Sequence, residues 1–137
     1  FYSDSIFYNE KLGLSYAEGN VKIIDDSSKI MIQGDFGYHS EIIDSSHIWN
    51  NAILTQSDSS DTLIIYADQF IKIMDSINDE IYCFKNVVID GTQMQGDCDS
   101  IYFNETDSIM KCIVQPIIWF DSTQVTGDKI EFKIHEF

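Results

Sequence analysis

Of the 137 residues, 23 are Asp or Glu and only 8 are Lys or Arg. Five of the acids, Asp4, Asp35, Asp68, Asp99 and Asp128, recur at intervals of 31, 33, 31 and 29. Carboxylates placed this way have three chemical uses: a catalytic pair for glycoside hydrolysis, a stacked set of Ca²⁺ ligands, or hydrogen-bond acceptors that shape turns. A catalytic pair is a single event, and these acids follow the period of the chain, which argues against an active site. Calcium loops need several oxygens within a few residues and glycines at tight turns, and only Asp97-Cys98-Asp99 approaches that density. The pattern favours an Asp that bonds its own backbone where a strand begins.

The remaining reactive residues form no constellation. His39, His47 and His135 fall at unrelated positions of the repeat, and no HExxH, nucleophile signature or glycine-rich phosphate loop accompanies them. Cys83, Cys98 and Cys112 show no CxxC or Cys/His metal spacing, and their odd count argues against a closed disulfide framework. They read as small apolar fillers on strands, one pair of which bridges only if neighbouring strands bring it together. No catalytic residue, no metal site and no cofactor is expected, and the chain reads as a non-enzyme.

The elements that position these residues follow from composition and period. Apolar residues make up 44% and aromatics 13%, too rich for disorder and enough for a sizeable core. A formal charge of −15 leaves no basic footprint for a phosphate backbone, which excludes nucleic acid as a partner. No run of 18 apolar residues is present to span a membrane as a helix. The chain opens on Phe1 without a basic, then apolar, leader, and it stops partway through a repeat after Asp128. One domain over 1–137 is expected, as a piece of a longer chain.

DSIFYNE at 4–10 returns as DSIYFNE at 99–105. With one residue inserted, Asn20 to Asp25 falls on Pro116 to Asp121. A second marker keeps the same period of about 31: GNVKII at 19–24, NNAIL at 50–54, KNVVI at 85–89 and QPIIWF at 115–120. Stretches such as LIIYA at 63–67 are short and rich in β-branched or aromatic residues, and turn clusters separate them. The reading is all-β, with roughly three short strands per unit. Alternation with Lys22 and Asp90 in water sends Val21, Ile23, Val87 and Ile89 inward, and alignment adds Ala52, Leu54, Ile117 and Trp119. After the Asp marker the same alternation turns Ile6, Phe70, Ile101, Phe103, Ile130 and Phe132 inward, opposite Lys129, Glu131 and Lys133. A single unit cannot bury such a face, so the units must stack.

GDCDSIYFNETDS, PIIWFDSTQVTGDKIEF and YAEGNVKI, spaced this way over nearly the whole chain, resemble the OstA-like (LptA-like) family of lipopolysaccharide-transport proteins, in the style of its Bacteroidota-type members. The resemblance implies an antiparallel β-jellyroll, open and taco-shaped, located in the periplasm of a Gram-negative envelope. It implies lipopolysaccharide as cargo, with the lipid A acyl chains in a hydrophobic groove and the sugars in water. It also implies end-to-end strand addition to other jellyroll transport proteins or to itself. Ile6, Val21, Ile23, Leu54, Phe70, Val87, Ile89, Ile101, Phe103, Ile117, Trp119, Ile130 and Phe132 would then line that groove. Sheltering a dozen methylenes outside a bilayer takes on the order of 10 kcal/mol of apolar cover. Two departures stand out: Ile113-Val114-Gln115-Pro116 replaces the Asn-containing pair of the other units, and few cations are present for lipid phosphates. The competing readings are a structural or adhesive β-repeat with a filled interior, and a carbohydrate-active β-solenoid with acids clustered in one cleft.

Overall fold

The computed structural model describes residues 1–57, 60–75 and 77–133. Among these, eleven strands form one antiparallel sheet: β1 (Ser5–Asn9), β2 (Leu14–Asp25), β3 (Ile30–Ser40), β4 (Ser45–Ser57), β5 (Thr62–Met74), β6 (Asp79–Gly91), β7 (Met94–Asn104), β8 (Ile109–Ile113), β9 (Ile117–Phe120), β10 (Thr123–Thr126) and β11 (Lys129–Lys133). The order is a meander from β1 to β8, with β11 beside β8 and a branch from β7 through β9 to β10. The sheet is open. His135 and the rest of 134–137 lie outside the described residues.

The repeat has one physical cause, a corner in every long strand. The even-numbered strands β2, β4 and β6 each set two consecutive residues against one on the next strand: Gly19-Asn20 against Asp35, Asn50-Asn51 against Asp68, and Lys85-Asn86 against Asp99. These pairs, and Val114-Gln115 between β8 and β9, have positive φ, from 48° at Asn20 to 78° at Gly19. Two residues opposing one is a β-bulge, which bends a strand and re-aims its side chains. Asn is among the residues that enter the left-handed region most readily, so its recurrence is explained. The Asp markers stand in the same column. Asn20 donates to Asp4 (3.0 Å), Asn50 and Asn51 donate to Asp35 (2.6 and 2.7 Å), and Asn86 donates to Asp68 (3.1 Å). The expectation of an Asp bonding its own backbone at a strand start is therefore corrected: these three accept amides from the neighbouring strand, and Asp35 and Asp68 sit mid-strand. For the same reason a unit holds two long bent strands in place of three short ones.

The corners fold the sheet into two facing leaves. The first contains β1, β8, β11 and the halves of β2 to β7 that precede or follow the corner on their side. The second contains the other halves with β9 and β10. Cross-strand pairing lines up inward rows on each leaf. Next to the corner on the first leaf runs Ile6, Ala17, Gly37, Ile48, Phe70, Cys83, Ile101, Cys112 and Ile130. The second leaf answers with Ile23, Ile32, Leu54, Ile65, Ile89, Gly96 and Ile118. The leaves interlock closely beside the corner, where a Cβ on Gly34 would stand 2.5 Å from Ile48 Cγ2 and one on Gly37 2.9 Å from Val21 Cγ1. Their apolar side chains merge into a single core.

Two inward expectations are corrected, and a third is met without burial. Ile117 and Trp119 point outward, at 37% and 42% exposure, while Ile118 between them is fully buried. The bulge pair is Val114-Gln115, so Gln115 takes the place of Asn20 with no insertion, and Pro116 and Ile118 take the places of Val21 and Ile23. One residue of slip reverses every side chain in a strand. Ile6 does occupy the inward row, but it is 51% exposed. β1 is the sheet edge, and the second leaf reaches that end through the single bridge Tyr2–Lys22, which leaves Ile6 uncovered.

Candidate functional site

Away from the corner, the leaves part at the end of the sheet formed by β9 and β11. A cleft of about 710 Å³ opens there. Leu63 at the start of β5, Met94 at the start of β7 and Phe120 at the end of β9 come from the second leaf, and Phe132 on β11 comes from the first. Phe120 and Phe132 meet edge to face with ring centroids 5.7 Å apart, a favoured aromatic geometry that spans the two leaves. Asp61, Thr62, Gly91, Thr92, Gln93, Asp121 and Lys133 form a polar rim. The arrangement has an apolar floor and a hydrated edge, and its volume lies within the range of about 300–1,000 Å³ common to ligand sites.

The sequence-derived groove residues divide into three groups. Val21, Leu54, Phe70, Val87, Ile89, Ile101, Phe103 and Ile130 are buried in the shared core, and Ile23 packs against it while partly exposed. Phe132 lines the cleft, and Trp119 reaches its rim from the outer face. Ile6 and Ile117 are exposed elsewhere. Leu63, Met94 and Phe120 were not singled out from sequence. Leu63 begins the continuous run LIIYA, whose period gives no phase, and Phe120 becomes inward only with the ungapped alignment that puts Gln115 on Asn20.

A charged cluster crosses the mouth further along. Lys72 on β5, 3% exposed, occupies an inward position of the first leaf. Its Nζ lies 3.1 Å from Asp25 Oδ2 at the end of β2 on the second leaf and 3.1 Å from Glu105 Oε1 just past β7. Asp79 joins them, so that carboxylate oxygens of Asp25, Asp79 and Glu105 lie within 4.8 Å of one another. Burial acts against the charged form of Lys72, yet Glu105 and Asp25 together carry its pKa upward. Burial also opposes ionisation of Asp25, but Ser27, Lys72 and Ser28 hold its carboxyl well below the usual range. At Glu105 burial prevails over Lys72, with Asp25 and Asp79 adding repulsion, and the pKa rises. The ammonium already fills this acidic nest, which disfavours a second cation there.

Among the described residues one hydroxyl lies against an imidazole: Ser46 Oγ is 2.7 Å from His39 Nδ1, whose Nε2 is 3.8 Å from Asp44 Oδ1. Cys83, Cys98 and Cys112 are buried free thiols, and burial drives the Cys83 thiol strongly upward. Tyr82 is pushed up to about 12 by burial and by its hydrogen bond to Glu80. No described helix is long and apolar enough to cross a membrane.

Fold and cleft together define an open, corner-bent antiparallel jellyroll with a cleft of apolar floor and polar rim between its leaves. The structure of LptH from Pseudomonas aeruginosa, described as the LptA-homologous periplasmic component of the lipopolysaccharide transport device, shares this fold at a TM-score of 0.62. The match covers 76% of this chain and 73% of that one at 11% identity, so it establishes an LptA-like fold. No family model matches the chain, and no curated protein matches it.

Proposed function

We propose that residues 1–137 form one jellyroll domain of a periplasmic bridge that carries lipopolysaccharide, with acyl chains held between the leaves. The observation behind this reading is the cleft: Leu63, Met94, Phe120 and Phe132 present an apolar floor beneath a polar rim in an LptA-like fold. The scarcity of cations, with Lys133 alone at the rim, favours recognition of chains over phosphates. The partners are other jellyroll transport domains or a second copy. Ile6, Phe7 and Tyr8 on the edge strand β1 are 51%, 68% and 53% exposed, which supports strand addition at that end.

A light-activated crosslinker in place of Phe132, with Tyr66 on the outer face as the control position, tests this in cells producing labelled lipopolysaccharide. Label trapped at 132 and absent at 66 is the expected result. A second reading has its own support, since the two leaves already fill most of the interior with buried apolar side chains. If a folded protein traps no label at 132, a structural or adhesive module with a packed interior replaces the carrier.

A further inference from the structure

The second inward row of the first leaf changes character along its length. Through cross-strand pairs it reads Ser15, His39, Ser46 and Lys72 on one side, then Ile81, Phe103, Met110 and Phe132 toward the cleft. Lys72 stands at the change. Its neighbours in the row, Ser46 on β4 and Ile81 on β6, offer it no counter-charge. The charged groups that face it are Asp25 from β2, Asp79 from the start of β6 and Glu105 from the turn after β7. The turn bearing Asp25 is braced from its own leaf, where Gln56 Nε2 donates to the Ser28 carbonyl at 3.1 Å. The Glu105 backbone is braced on the other leaf, where its N–H donates to the Asp79 carbonyl at 2.9 Å.

Apolar side chains of similar volume in place of Lys72, Asp25 and Glu105 together would fill this seam without the cost of desolvating charge, so packing alone does not account for the cluster. A seam of ions differs from a seam of hydrocarbon in one useful way. Its parted halves are well solvated, so it opens to water more readily than an apolar contact does. We propose that Lys72, Asp25 and Glu105 form a clasp between the leaves, which confines cargo to the cleft at the β9–β11 end while shut and joins that cleft to the rest of the interior when open. This rests on the reading of the cleft as an acyl-chain site.

The experiment reads the leaves and the cargo separately. Spin labels on cysteines introduced at Asp26 and Thr106, exposed positions on opposite tips beside the clasp, report the gap by pulsed electron resonance in the full chain. A fluorescent dodecyl-chain probe reports binding. The native chain should give a narrow distribution, and Lys72→Met should shift and broaden it to longer distances while tightening probe binding at least threefold. A distance that does not move would overturn the clasp whatever the probe does. A gap that opens with probe affinity unchanged would overturn the gating role. A gap that opens while neither protein binds the probe would instead overturn the acyl-chain reading, and the gate with it. Should Lys72→Met fail to fold by circular dichroism, Asp25→Asn cuts only the link to the second leaf, leaves Lys72 neutralised by Glu105, and answers the same question.

Discussion

Two side chains at the corner and the mouth hold conformations or charges that their own chemistry disfavours. Val114 has φ 66° in a corner pair that elsewhere contains Gly or Asn. A β-branched residue in that region is strained, whereas glycine adopts it freely. Val114→Gly should therefore stabilise the protein by about 1 kcal/mol in urea unfolding, despite the greater freedom it gives the unfolded chain. A loss of stability would mean that Val114 contributes packing that its exposure does not suggest. At Lys72 the two acids should behave oppositely. The depressed pKa of Asp25 marks stability present above its unfolded value, near 3.9, and lost as pH falls through the folded one. The raised pKa of Lys72 marks stability present below about 10.4 and lost as pH rises through the folded value. Glu105, also raised, is a carboxyl for which folding favours the proton, so its contribution improves as pH falls through its folded value. Lys72→Met should cost about 3–5 kcal/mol at neutral pH by leaving three carboxylates without their cation, and that loss should shrink on acidification. Glu105→Gln should be neutral or slightly stabilising at pH 7. Equal losses from both variants in paired unfolding curves would sink this assignment.

At the scale of the strand, the corner decides which face each residue takes. Alternation was legible wherever a charged residue marked the solvent side, as with Lys22 between Val21 and Ile23, or Asp90 after Ile89. It failed where the marker itself was disguised. Val114-Gln115 does the work of Asn50-Asn51 without the asparagine that signals it, so the strand that follows was assigned to the wrong face. The Asp column was legible as a period but not as a ladder, because only the folded sheet brings Asp35 within 2.6 Å of Asn50 Nδ2, fifteen residues away. The cleft was the least legible part, since it exists where two leaves diverge, and that depends on how far each row extends. Gly96 shows how much one strand relies on such contacts. A Cβ there would lie 2.3 Å from the Ile117 carbonyl oxygen and 2.8 Å from Ile118 Cδ1, both on β9. Gly96→Val should push β9 off β7 and cost about 3 kcal/mol or more. Hydrogen exchange should accelerate across β9 and β10 first, with β3 to β6 still protected. Uniform acceleration across the sheet would show that the branch is not a separable unit and would refute its local role.

For the whole molecule the dominant quantity is charge. A net −15 spread over one small open sheet repels itself and repels phosphates on any anionic lipid, at distances that salt screens within about 10 Å at 0.1 M. The clasp responds less to salt, because Lys72 is buried among its carboxylates and screening acts weakly there. Raising salt from about 20 to about 200 mM should thus raise the melting temperature by relaxing surface repulsion without loosening the mouth. The same argument separates two ways of holding an acyl lipid. Capture through a head-group would depend on attraction between lysines and phosphate, and would weaken as salt rises. Capture through the Leu63, Met94, Phe120 and Phe132 floor draws on hydrocarbon burial, opposed only by like charge between protein and lipid. Titrating an anionic acyl lipid at both ionic strengths should therefore show tighter binding at the higher one. Weaker binding at the higher one would place the recognition in the few cations instead, and would move the site away from the cleft.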